Sequence, residues 1–109
     1  MPVYHKLVRD RIPEIIRENG NSCRTRILTD EEYRVELGKK LREESDEVIT
    51  AHTSEEALEE LADVLEVLQA YAAAHGAAWE QVEELRRKKA AARGGFRERI
   101  YLIDTVGED

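Results

Sequence analysis

From Thr29 onward the apolar residues recur with a helical period. Leu37, Leu41 and Val48 fall on one stripe at about 100° per residue, and Leu58, Leu61, Leu65, Leu68 and Ala72 fall on another. Thr29 with Glu32 makes a capping-box signature for a helix running to about Ala51. Thr53 with Glu56 repeats it for a helix running to about His75. The link between them is only two or three residues, so these helices are expected to be antiparallel neighbours. Gly76 ends the second, and a third helix is expected from about Ala78 to Arg93, stopped by Gly94. Upstream, Asp10 is placed to cap a brief helix from about Arg11 to Asn19, with Pro13 tolerated in its first turn and Gly20 ending it. The segment Cys23 to Leu28 alternates and is compatible with a short strand, and Phe96 to Ile103 is compatible with a strand or an extended arm. The fold class is therefore all-α: an antiparallel bundle of two long acidic helices plus a third, with a short N-terminal helix and extended arms.

Helical phase then sorts the acids. Glu44 falls inside the stripe of the first long helix and Glu47 lies on its flank with Lys40, while Glu43 and Asp46 project into water. On the second, Glu60 sits at the stripe's edge beside Val64 and Val67, and Asp63 follows on the same side with Ala70. Glu55, Glu59 and Glu66 cluster on the opposite face. A carboxylate in an apolar stripe is costly unless it is paired or bound to a cation. Glu44 thus needs a partner: a salt bridge to Lys40 or to a base of the third helix, or a metal ion. The metal reading is favoured by the second pair, because Glu44/Glu47 and Glu60/Asp63 share one spacing that puts each pair on one helix face. Four converging carboxylates suit a hard divalent cation such as Mg²⁺, with Mn²⁺ as the alternative ion, and such an ion bound to phosphate oxygens supports attack by water. Glu44 or Glu47 could also serve as general base, and the sequence does not separate ligand from base.

Charge sharpens this picture. The net charge of −7 argues against a general nucleic-acid coat, yet residues 30–66 hold fourteen acids against four bases, whereas residues 86–99 hold seven bases and one acid. The expected inward stripe of the third helix runs Trp79, Val82, Leu85 and continues as Arg86, Lys89 and Arg93. Those cations could snorkel, pair with the acidic helices, or hold a substrate's phosphates. Gly94 and Gly95 then add backbone able to approach a ligand closely, although a glycine pair after a helix is more often a stop signal. With 109 residues, 38% charged and 6% aromatic, the chain reads as one helical domain small enough to benefit from oligomerisation. Its single cysteine, Cys23, excludes an internal disulfide framework, and no apolar run is long enough for a signal peptide or membrane span, so the cytoplasm is the expected compartment. His5, His52 and His75 show no metal-ligand spacing.

Taken together, Glu44-x-x-Glu47, twelve residues, Glu60-x-x-Asp63, and then the lysine and "RGGF" segment from Lys89 to Phe96 resemble the all-α nucleoside triphosphate pyrophosphohydrolases, the MazG-like group that includes phosphoribosyl-ATP pyrophosphohydrolase. The opening "KLVRDRIPEII", Lys6 to Ile16, resembles the start of small stand-alone members. The resemblance implies that Glu44, Glu47, Glu60 and Asp63 bind Mg²⁺ and that a nucleotide is cleaved between its α and β phosphates to give the monophosphate and pyrophosphate. It implies Lys89 and Arg93 as phosphate contacts, with Lys6 and Arg9 as further substrate contacts, and a homodimer or homotetramer whose subunits complete the core.

Two rival readings remain in view. A carboxylate-bridged di-iron bundle usually carries Glu-x-x-His motifs, and none occurs here. A helical interaction module would use its charged faces for recognition without catalysis. Within the nucleotide reading, clearance of damaged or surplus nucleotides and hydrolysis of phosphoribosyl-ATP in histidine biosynthesis are both compatible. Gly38, inside the first long helix, is unfavourable by about 1 kcal/mol against alanine and has no account at the level of sequence.

Overall fold

The computed structural model describes residues 3–107 and contains four helices: α1 (Ile12–Glu18), α2 (Asp30–Thr50), α3 (Ser54–Ala74) and α4 (Trp79–Arg93). The chain divides into two compact units, Met1–Ala77 and Ala78–Asp109. Among the described residues there is no strand, and no helix is long and apolar enough to cross a membrane.

In the first unit, α2 and α3 begin where their caps dictate. The Thr29 hydroxyl accepts from Glu32 N at 3.2 Å while the Glu32 carboxylate accepts from Thr29 N at 3.0 Å, a complete capping box. At α3 the Thr53 hydroxyl accepts from Glu56 N at 3.1 Å, but Glu56 reaches one residue further back, to His52 N. α1 departs from expectation: Arg11, not Asp10, is its N-cap, and no side chain caps it. Pro13 stands in the first turn and has no N–H, so one of the donors that a capping side chain would satisfy is missing. The helix ends at Gly20, φ +84°, with Asn21 N donating to Ile16 O and Gly20 N to Arg17 O. Gly76, φ +78°, ends α3 through the same pair of bonds, Ala77 N to Ala72 O and Gly76 N to Ala73 O.

α2 and α3 are the helices of this unit that pack on each other. Their antiparallel course is fixed by two meetings, Glu47 with Glu60 near the link and Gly38 with Tyr71 at the far end. The stripe expected on α2 is correct: Leu37 is buried, and Leu41, Glu44 and Val48 are half-buried. The stripe expected on α3 is corrected in part. Leu68 and Ala72 are half-buried as expected, but Leu58, Leu61 and Leu65 are 67%, 49% and 45% exposed, and Ala57, Glu60, Asp63, Val64, Val67, Ala70 and Tyr71 are half-buried in their place. α3 is apolar on two edges; α2 packs against the valine edge that carries the acids, leaving the leucine edge open. Leu37, 2% exposed, is the only buried hydrophobic residue among the described residues, a small core for a chain of this length.

Cys23 to Leu28 is not a strand. No second strand exists among the described residues to pair with it, and an isolated strand leaves its backbone polar groups unmatched. The segment is tied instead to the first turn of α2 by Arg26, whose two Nη atoms donate to the two Glu32 carboxylate oxygens at 3.1 and 2.9 Å.

In the second unit, α4 starts with Ala78 N donating to the Gln81 side chain at 2.8 Å and ends at Gly94, φ +83°. Its expected inward stripe is also corrected. Trp79 and Val82 are half-buried, but Leu85 is 58% exposed and Arg86, Lys89 and Arg93 are exposed together with Arg87 and Lys88. The tail beyond Gly94 is not a strand: Arg99 N donates to Phe96 O at 3.2 Å in a turn that interrupts the expected strand or arm, and Phe96 and Val106 are almost fully exposed.

Candidate metal centre

Glu44 and Glu47 leave α2 on adjacent turns, and Glu60 leaves α3 just past the link, so the short turn at Ala51–Thr53 brings the two acidic faces together. One oxygen from each of Glu44, Glu47 and Glu60 lies within 4.8 Å of the others. Like charges at such a distance repel, and the protonation equilibria record it. The Glu44 carboxyl is raised above its ordinary value first by burial and then by Glu47, with Lys40 opposing. The Glu47 carboxyl is raised first by the neighbouring Glu60 carboxylate.

The salt bridge considered for Glu44 is present. Lys40 Nζ lies 3.6 Å from Glu44 Oε1, and the Glu44 side chain is only 13% exposed. The same ammonium also lies 3.7 Å from Glu43 Oε2, so one cation at long range is divided between two carboxylates. Lys40 therefore leaves most of the cluster's charge uncompensated. Glu60 is more telling: its Oε2 is buried and has no hydrogen-bond partner. A buried acceptor without a partner is uncommon and costs about 1–3 kcal/mol. A hard cation among these oxygens would satisfy that atom and remove the repulsion, so the donor set fits Mg²⁺ or Mn²⁺.

Asp63 is placed differently. Its charge is felt at Glu44, but its Oδ1 accepts from Arg9 Nη2 at 2.6 Å. Arg9, expected at the sequence level as a substrate contact, is thus the partner of one of the four acids. A separation of 54 residues carries no periodic signal, and sequence reasoning had no means of joining them. Lys6 is elsewhere, with its Nζ 5.5 Å from the centroid of the Tyr4 ring. In the second unit Arg86 is engaged by Glu83, Nη2 to Oε1 at 2.7 Å, whereas Lys89 and Arg93 make no ion pair among the described residues.

A protein of Mycolicibacterium smegmatis described only as uncharacterized is 50% identical over 54 residues, 50% of this chain and 55% of that protein, so the chain spans about half the length of the curated relative it matches. No solved structure matches. The family model described as phosphoribosyl-ATP pyrophosphohydrolase matches residues 3–89, a stretch that holds all four acids, Arg9 and Lys89 and stops before Arg93 and the glycine pair. That match covers most of the sequence, and the chain belongs to the phosphoribosyl-ATP pyrophosphohydrolase family, part of the MazG-like all-α nucleoside triphosphate pyrophosphohydrolases.

Proposed function

We propose that this protein is a nucleotide pyrophosphohydrolase that uses a divalent cation, Mg²⁺ by preference, held by Glu44, Glu47, Glu60 and Asp63. The observation that carries the proposal is the cluster of three carboxylates with the orphaned Glu60 oxygen in it. Bound there, the cation would neutralise phosphate charge and acidify water. The chain's own residues supply the rest. Glu44, half-buried and restrained by Lys40, is suited to a fixed ligand position. Glu47 is exposed, and we assign to it, beside its ligand role, the general base that takes a proton from water. The water oxygen bonds to the α-phosphorus as the bond from that phosphorus to the αβ-bridging oxygen breaks, and pyrophosphate leaves. Lys89 and Arg93 are proposed phosphate contacts. Arg86 would first have to leave Glu83 to join them.

The small core and the open leucine edge of α3 support a homodimer or homotetramer, since burial of Leu58, Leu61 and Leu65 against a second copy would remove apolar surface that the monomer leaves in water. The cytoplasm, where nucleotide pools lie, suits this activity, and the whole chain is proposed to act as one domain without membrane or nucleic-acid polymer as partner.

The family match supports hydrolysis of phosphoribosyl-ATP and of a free nucleoside triphosphate equally. A panel containing phosphoribosyl-ATP and canonical and damaged nucleotides, incubated with Mg²⁺ and resolved by product, tests the proposal. A monophosphate plus pyrophosphate is expected from one class of substrate. Orthophosphate as the product contradicts the cleavage site, and inertness to the whole panel favours the non-catalytic interaction module.

A further inference from the structure

The Arg9–Asp63 pair joins two segments that nothing in the local sequence requires to meet. Arg9 lies in an irregular stretch three residues ahead of α1, and α1 does not pack against α2 or α3. Neither partner is deeply buried, with 58% of the Arg9 and 40% of the Asp63 side chain exposed. The contact is a short, charge-assisted hydrogen bond between two partly exposed side chains, which is the construction of an exchangeable contact and not of a core pair. It also differs from the neighbouring compensation, because Lys40 stands off at 3.6 Å from Glu44, whereas Arg9 occupies an oxygen of Asp63 directly. A guanidinium and a dication cannot both take that oxygen at full strength, and the dication brings twice the charge to a smaller sphere.

Resting on the metal-centre proposal above, we propose that Arg9 is a displaceable counter-ion of the acidic cluster: it competes with the divalent cation for Asp63, and loading the site releases it. Arg9 is a positioning residue for Asp63 in the cation-free protein. Once released, its planar fork is left beside the loaded site, where the next anion available to it is a substrate phosphate.

Mn²⁺ binding by calorimetry to the full chain, to Arg9→Ala and to Glu60→Gln tests this. Arg9→Ala is expected to bind Mn²⁺ about two- to fivefold more tightly, the range set by a partly exposed ion pair. Unchanged or weaker binding by Arg9→Ala, with Glu60→Gln weakened, overturns the displacement and leaves the metal centre standing. Equal binding by Glu60→Gln and the unaltered protein overturns the metal centre, and the displacement with it. A second readout needs no stability of the variant: the Arg9 guanidinium proton resonances of the unaltered protein, assigned by their loss in Arg9→Ala, are expected to shift and exchange faster as Mg²⁺ is added. If they are the same at saturating Mg²⁺, Arg9 has not moved and the proposal fails.

Discussion

The hydroxyl of Tyr71 on α3 lies against Gly38 on α2, 3.4 Å from the place a Cβ would take. The site leaves room for a Cβ but not for a larger side chain, because the Tyr71 hydroxyl lies over the α2 backbone there. The contact is at the edge of ordinary packing and involves a hydroxyl that can turn. Gly38→Ala is therefore expected to be neutral or to stabilise by up to about 1 kcal/mol from helix propensity. Gly38→Leu would have to displace Tyr71 and is expected to cost about 1–3 kcal/mol. Urea denaturation midpoints of the two variants check both signs.

Glu60→Gln should separate stability from function. The amide removes one charge from the cluster and can donate to a neighbouring carboxylate, so the variant is expected to be more stable than the unaltered protein in chelator, by about 1 kcal/mol. It is also expected to lose most of the stabilisation that added Mn²⁺ gives the unaltered protein. Thermal melts with and without the ion measure both; a variant destabilised in chelator would mean that Glu60 is satisfied by the fold itself.

The start of α2 should respond to acid. The Glu32 carboxyl is lowered from 4.5 to about 2, first by its hydrogen bonds with Arg26 and then by the backbone of Thr29. A depressed carboxyl contributes stability that is full above its unfolded value and is lost as pH falls through the folded one. The Arg26–Glu32 tie is thus expected to hold down to about pH 4.5 and to fail between there and about pH 2. Carboxyl NMR titration of Glu32 should show its midpoint move back up in Arg26→Ala, and an unchanged midpoint would remove Arg26 as the cause.

The open edge of α3 should govern assembly. Leu61→Lys places a charge in the middle of the Leu58, Leu61, Leu65 edge and is expected to convert a dimer or tetramer to monomer in sedimentation equilibrium while the helical circular dichroism of α2 and α3 remains. An unaltered protein that sediments as a monomer at high concentration would refute this use of the edge.

The helices were legible because their ends carry local chemistry: Thr29 with Glu32, Thr53, Gly20 and Gly76 each act within four residues of themselves. The acids Glu44, Glu47 and Glu60 were legible because helical phase and a short link are enough to bring them together. What the sequence did not reveal depends on choices made in three dimensions. α3 has two apolar edges, and helical phase alone placed Leu58 and Leu61 at the centre of the stripe and Val64 and Val67 at its edge. Pro13 overrode Asp10 as a cap, and the contact of Arg9 with Asp63 has no periodicity to betray it.

The central claim is that Glu44, Glu47, Glu60 and Asp63 share a divalent cation. Crystals grown with Mn²⁺ and measured at the manganese absorption edge test it most directly. An anomalous peak bounded by oxygens of these four residues, absent from crystals of Glu60→Gln grown alike, is the expected result. Saturating Mn²⁺ with no peak at the cluster, and the carboxylates still crowded around empty space or paired only with Lys40 and Arg9, would contradict it.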